Sequence, residues 1–404
     1  MPEPTTRAAK AKFSPELVGD REFLSVLIHK IGHEIGNPLT SIISLATIID
    51  RFSAPDAGGL DSEKAAAYAR SIIKESWRVS ALTEKLVLLL SNRRGAPTPC
   101  DVVGILPRAL KKLRSRRGFD SDWVRIVSRS EIPLFAFCDS DQFLVAITEL
   151  LENAFVAVGA KDFADDGEPP DTPPIEVVLS GDRHRCIIEV CVPQPTASER
   201  PLDELFQPFV TAHADEKHLG LGLTVVAAIA DRVGAELELE EQRLDDGYRF
   251  ITRLQFPAHE GVAAAKLAPA SALPSRLTIL VVEDDESVAS AVQKILTLEL
   301  GRETKLSVIC RNGEGALEYI ANGEPLDVIL CDLNLDGMSG RHILDTLYND
   351  RPEAVERFVF LTGDSMRPET ESYLQSCQRP FLHKPFEVDQ LIETVRRLFV
   401  ATAT

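Results

Sequence analysis

The sequence predicts a multidomain chain: an α-helical hairpin forming a dimeric four-helix bundle, an α+β sandwich, and a doubly wound α/β domain. Three observations predict it. Two long apolar stripes of helical period run between Arg21 and Asn92. Strands bunched with helices follow to about Pro257. Beyond an Ala/Pro-rich stretch, strands and helices alternate up to Phe399.

The composition agrees. The chain has 404 residues, room for two to four domains, with 44% hydrophobic and 26% charged residues. That balance excludes disordered, collagen-like and disulfide-scaffold classes. Lys+Arg is 44 against Asp+Glu 62, a formal net charge of -18. Such an average repels polyanions, so no nucleic-acid partner is expected. The seven cysteines include no C-x-x-C pair, which points to free thiols and a reducing cytosol. No segment reaches the roughly 20 apolar residues of a membrane span. The N-terminal MPEPTTRAAKAKF lacks the apolar core of a secretory signal. The expectation is a cytoplasmic protein without membrane insertion.

Residues 1–20 read as a flexible tail. From Arg21, Phe23, Leu27, Ile31, Ile35, Leu39, Ile42 and Ala46 recur at three- and four-residue steps, one stripe of a helix to about Phe52. Pro55, Gly58 and Gly59 break it. A second stripe, from Tyr68 through Ile72, Trp77, Val79, Leu82 and Leu86 to Leu89, completes a hairpin over 21–95. One hairpin leaves much apolar surface uncovered, so two are expected to pair as a homodimer.

In the second domain, 100–258, helices are expected at Ile105–Leu113, Asp141–Val158 and Leu221–Val233. Strands are expected at Trp123–Val127, Leu134–Phe137, Ile175–Leu179 and Cys186–Val192, and a hairpin at Ala235–Glu240 with Tyr248–Gln255. Residues 160–174 read as a solvated insertion and 259–276 as a linker. In 277–402, strands Thr278–Val282, Leu306–Cys310, Val328–Asp332, Arg357–Leu361 and Phe381–Leu382 alternate with five helices.

Chemistry-bearing residues concentrate in three places. In the first helix, Ile31-Gly32-His33-Glu34-Ile35-Gly36-Asn37-Pro38-Leu39 puts His33 and Asn37 one turn apart on the same face. Pro38 cannot donate to the Glu34 carbonyl, so a kink is expected beside His33. A histidine next to a carboxylate can be deprotonated at one ring nitrogen and attack an electrophile with the other. This run resembles the H-box of sensor histidine kinases. The resemblance implies His33 as the phosphoryl acceptor, Glu34 as its general base and Asn37 as an orienter of water for phosphatase action. His29 reads as an ordinary polar-face residue.

In the second domain, Glu149-Leu150-Leu151-Glu152-Asn153-Ala154 resembles the N-box of the kinase ATPase fold. Leu205-Phe206-Gln207-Pro208-Phe209 resembles its F-box, and Leu219-Gly220-Leu221-Gly222-Leu223 its second glycine box. The resemblance implies ATP as the nucleotide, Asn153 on Mg²⁺ with Glu149 beside it, and Gly220 and Gly222 letting backbone N–H groups approach phosphate. The sequence departs from the pattern elsewhere. Val192-Pro193-Gln194-Pro195-Thr196 stands where the family has an adenine-reading Asp and glycines, and His218 replaces a glycine. The basic run Arg108, Lys111, Lys112, Arg114, Arg116 and Arg117 reads as a solvated helix face or a dock for an acidic partner.

In the third domain, Glu283 and Asp284 end the first strand, Asp332 the third and Thr362 the fourth, and Lys384 follows the fifth. The ligand crevice of such a sheet lies at these strand ends. Carboxylates converging there call for a divalent cation, and their oxygens suit Mg²⁺. The segment resembles a response regulator receiver domain. The resemblance implies Asp332 as phosphoryl acceptor; Glu283, Asp284 and the Asn334 carbonyl as Mg²⁺ ligands; Thr362 and Lys384 on the phosphoryl oxygens; and Phe381 as an aromatic switch. Asp285 and Glu286 read as helix-start charges.

Together these resemblances imply a hybrid histidine kinase. ATP would phosphorylate His33, and the group would pass to Asp332 or a separate response regulator or phosphotransfer protein. With no sensor domain legible, the input is expected from another protein. The missing adenine-reading acid keeps an alternative open: a histidine phosphotransferase that shuttles phosphoryl groups without using ATP.

Overall fold

The computed structural model describes residues 6–11, 21–52, 60–90, 98–130, 134–159, 174–182, 185–211, 220–257, 277–300, 304–323, 326–363 and 368–402. Residues 160–173 of the expected insertion, His218 and the linker lie outside these residues. The chain divides into two compact units, Met1–Ala265 and Lys266–Thr404. Among the described residues no helix is long and apolar enough to cross a membrane.

The first unit contains β1 (Thr6–Lys10), α1 (Arg21–Phe52), α2 (Ser62–Leu90), β2 (Thr98–Asp101), α3 (Val102–Arg117), β3 (Val124–Ser128), β4 (Phe135–Cys138) and α4 (Ser140–Ala157). It continues with β5 (Ile175–Gly181), β6 (Arg185–Gln194), α5 (Gly222–Val233), β7 (Glu236–Leu244) and β8 (Gly247–Pro257). The hairpin is α1 against α2, and α1 runs unbroken through Pro38. The main sheet has the order β1-β7-β8-β6-β5-β3. Its inner face carries Val177, Leu179, Ile188, Val190, Leu237, Leu239, Leu254 and Phe256, which pack with α3, α4 and α5 in one core. Phe143 meets Phe256 edge-on at 5.1 Å, and Phe119 stacks on Phe155 at 4.6 Å.

Capping fixes the helices that carry the site. Asp101 accepts from Val103 N–H at the start of α3, and Gly118 closes it at φ 72°. Asp139 accepts from the N–H groups of Asp141 and Gln142 and so starts α4. Buried among the apolar residues of α4 are two acids, Glu149 and Glu152, an arrangement that needs cationic partners.

The expected flexible tail is corrected in part. Thr6–Lys10 is an edge strand antiparallel to β7, with Ala8 opposite Glu240 and Ala11 N–H donating to Leu237 O at 2.8 Å. An open sheet edge offers unpaired N–H and C=O groups, and β7 is acidic. Arg7 pairs with Glu241 at 3.2 Å and Lys10 with Glu236 at 2.5 Å.

The second unit is a five-stranded parallel sheet. It comprises β9 (Leu277–Val282), α6 (Glu286–Leu300), β10 (Thr304–Cys310), α7 (Gly313–Ala321), β11 (Val328–Asp332) and α8 (Gly340–Asp350). The short α9 (Pro352–Val355), β12 (Phe358–Thr362), α10 (Pro368–Cys377), β13 (Phe381–His383) and α11 (Val388–Thr402) complete it. The order is β10-β9-β11-β12-β13. Alternate strand residues feed two cores. Leu280, Ile329, Cys331 and Phe360 pack with α7, α8 and α10, while Ile279, Val281, Leu330 and Leu361 pack with α6 and α11.

Candidate active site

On α1, the Asn37 side-chain amide lies 3.3 Å from His33 Nδ1, the one-turn spacing expected of the H-box. Both side chains are exposed. Nε2 is therefore the ring nitrogen not engaged by Asn37. Glu34 points elsewhere, because neighbouring helix positions do not share a face. Its Oε2 takes Arg78 of α2 at 2.7 Å. The acid expected beside His33 is thus held across the hairpin by a cation that sequence reasoning did not single out.

Glu34 and Arg78 line a cavity of about 540 Å³. Glu149, Asn153, Gly220 and Gly222 line the same cavity. Its walls include the apolar Val145, Val190, Val192, Leu239 and Phe250. This size and mixture suit a nucleotide-sized ligand. Gly222 starts α5 under tight constraint: a Cβ there would meet Glu149 Oε2 at 2.9 Å and the Asn153 amide at 3.2 Å. At Gly220 (φ 66°) a Cβ would meet Val210 O at 2.7 Å. Phe209 N–H donates to Gly220 O at 3.0 Å, which ties the F-box to the glycine box. The segment without the usual acid ends β6, where Gln194 Nε2 donates to Ala157 O at 2.8 Å.

The buried acids of α4 find their partners on other helices. Lys85 of α2 lies 2.9 Å from Glu149 Oε2 and 3.9 Å from Glu152 Oε2. Burial alone would pull Lys85 down, and the two carboxylates hold it above the ordinary lysine value, so it stays an ammonium. Arg117 of α3 pairs with Glu152. The basic run of α3 is corrected accordingly. Lys112 and Arg116 reach Glu84 of α2 at 3.3 and 3.5 Å, and Arg116 stacks over Trp77 at 4.5 Å. Part of this face docks α3 onto the hairpin. Lys30, one turn before His33, stands 4.6 Å over the Phe209 ring.

In the second unit, ligand oxygens of Glu283, Asp284 and Asp332 all lie within 4.8 Å of one another. Glu283 and Asp332 are buried. Lys384 Nζ donates to Glu283 Oε2 and Asp332 Oδ2, both at 2.6 Å. Burial pushes Glu283 above the usual carboxylate range, and the Lys384 contact opposes this only in part. Asn334 N–H donates to Asp332 Oδ1 at 3.0 Å, and Asp336 N–H to Asp284 Oδ2 at 3.1 Å. Thr362 is fully buried at the end of β12, and its carbonyl accepts from Lys384 N–H at 2.7 Å. Phe381 is half-buried and meets His383 edge-on at 5.1 Å. Asp285 is a cap, accepting from the Ser287 hydroxyl at 2.6 Å and from Val288 N–H at 3.1 Å. The three acids, with a lysine bridging two of them, form a donor set that fits Mg²⁺.

Comparison with known proteins matches two stretches of the chain to known domain families. Residues 138–258 match the family of histidine kinase-, DNA gyrase B- and HSP90-like ATPases, and residues 279–396 match the response regulator receiver domain. The sensor kinase CckA of Brucella abortus (strain 2308) is 27% identical over 206 residues, 49% of this chain and 21% of that protein. The transcriptional regulatory protein DltR of Streptococcus agalactiae is 32% identical over 121 residues, 30% of this chain and 50% of that protein. The chain therefore spans half or less of the length of these relatives. A crystal structure of full-length ShkA in complex with AMPPNP is 18% identical with a TM-score of 0.39, covering 95% of this chain and 72% of that one.

Both matched domains are of kinds used in two-component signalling. An ATPase domain followed by a receiver is the architecture of a hybrid sensor histidine kinase, and this chain has that architecture.

Proposed function

We propose that the chain autophosphorylates His33 from ATP and relays the phosphoryl group to Asp332 or to a partner protein. The carrying observation is the shared cavity: Glu34 and Arg78 of the hairpin line the same space as Asn153, Gly220 and Gly222 of the ATPase fold. A nucleotide bound there would lie beside the H-box helix. His33 Nε2 would attack the γ-phosphorus, ADP would leave, and Glu34 would accept the imidazole proton once free of Arg78. Such transfer depends mainly on positioning and charge neutralisation. Mg²⁺ would rest on Asn153 at this site, with Glu149 beside it.

In the receiver, Glu283, Asp284, Asp332 and the Asn334 carbonyl would hold Mg²⁺, which neutralises charge on the transferring group. Asp332 would take the phosphoryl group, with Lys384 and Thr362 on its oxygens. Exposed Val26, Ile28, Leu39, Ile43 and Ile73 support hairpin pairing into a homodimer. The Asn37–His33 contact supports a phosphatase direction as well. Partners would be a separate response regulator or phosphotransfer protein and a separate input protein.

Incubation with γ-labelled ATP and Mg²⁺ tests the reading. Acid-labile, base-stable label that His33→Ala abolishes is the expected result. Absence of label from ATP, with labelling from a phosphorylated partner, would instead make the chain a phosphotransferase.

A further inference from the structure

Lys85 lies in the last two turns of α2, and its ammonium is on Glu149, the carboxylate read above as standing beside a Mg²⁺ ion on Asn153. The side chains of Lys85, Glu149 and Glu152 are 16%, 7% and 11% exposed, so the contact is largely withdrawn from water. The Glu149 oxygen that takes Lys85 is Oε2, the same atom that crowds Gly222. The ammonium is therefore at the junction of the N-box acid and the glycine box. The other acid there, Glu152, already pairs with Arg117.

Mg²⁺ binds oxygen at roughly 2.0–2.1 Å in a strict octahedron and repels a neighbouring ammonium. Two cations on one carboxylate oxygen of a low-dielectric site is unfavourable, so one must leave. Lys85 can leave, because its four-carbon stem is flexible. Its departure removes a contact between α2 and α4, and so between the hairpin and the ATPase fold.

We propose that Lys85 and a divalent cation compete for Glu149, so that loading of Mg²⁺ and nucleotide removes one of the ties between the ATPase fold and α2. The proposal rests on reading the cavity as a nucleotide site. It assigns Lys85 as a positioning residue that couples occupancy of the cavity to the freedom of the fold that must reach His33.

The test is binding of a fluorescent, non-hydrolysable ATP analogue to the full chain across a Mg²⁺ titration. Lys85→Gln should lower the Mg²⁺ midpoint by about tenfold, the weight of one charge-assisted hydrogen bond. Lys85→Arg keeps a cation on Glu149 and should keep the wild-type midpoint. Amide exchange in the last turns of α2 should rise in the wild type when Mg²⁺ and the analogue are added together. Equal midpoints in wild type and Lys85→Gln, with binding intact, overturn the competition alone. Weaker analogue binding in Lys85→Gln also overturns it, making Lys85 a phosphate ligand. No binding in any variant overturns the competition and the nucleotide reading together.

Discussion

Glu34 and Arg78 form an ion pair across the hairpin, 2.7 Å from carboxylate to guanidinium, with both side chains half-buried. The pair turns the H-box acid toward the cavity rather than toward His33. If Glu34 acts as the base, it acts in the transition state and not in holding nucleotide. Glu34→Gln is then expected to slow His33 labelling by about 100-fold or more while leaving analogue affinity within about threefold. An equal loss in affinity would make Glu34 a binding residue.

Docking of α3 on α2 carries a pH signature. Burial alone would raise the Glu84 carboxyl, but Lys112 and Arg116 outweigh it and hold Glu84 below the usual carboxylate range. The folded state thus binds this proton more weakly than the unfolded chain. The stabilisation is complete above the usual value of about 4.3 and is lost as pH falls through the depressed value. Urea unfolding of the first unit should lose stability toward low pH less steeply in Glu84→Gln than in the wild type. Parallel pH profiles would contradict the assignment.

Lys384 neutralises two buried acids at 2.6 Å each. Its removal leaves Glu283 and Asp332 facing one another and Asp284. Lys384→Ala is expected to destabilise the receiver by about 3 kcal/mol without Mg²⁺. Mg²⁺ should then raise the receiver Tm more in the variant than in the wild type. Calorimetry with and without Mg²⁺ reads both quantities, and an unchanged metal-free Tm would count against the cluster.

Gly340 packs on the Asp332 carbonyl, where a Cβ would stand 2.3 Å from the oxygen. Gly340→Ala must push β11 or α8 aside. The expected cost is about 2 kcal/mol or more, measured by denaturant unfolding of the receiver. A variant as stable as the wild type would show that the turn after Asp332 yields easily.

The receiver was legible in detail because its information is local. Each acid ends a strand of continuous apolar residues, and β9, β11 and β12 carry Glu283, Asp332 and Thr362 to one edge by topology alone. His33 with Asn37 was equally legible, being a one-turn helical spacing. The cationic partners were not. Arg78 is 44 residues from Glu34, and Lys85 carries only the signature of a polar helix position; nothing local marks either one. The strand β1 was missed because TRAAK has no apolar alternation and owes its conformation to the acidic edge of β7. The basic run of α3 looked solvated because its acids, Glu84 and Glu152, lie on other helices.

The most direct test of the central claim, a relay from His33 to Asp332, is the chemical stability of the label formed from γ-labelled ATP in three chains. The wild type should carry base-labile acyl phosphate together with acid-labile label. Asp332→Asn should retain only the acid-labile, base-stable label, and His33→Ala should carry none. Base-labile label on Asp332 in His33→Ala would contradict the relay.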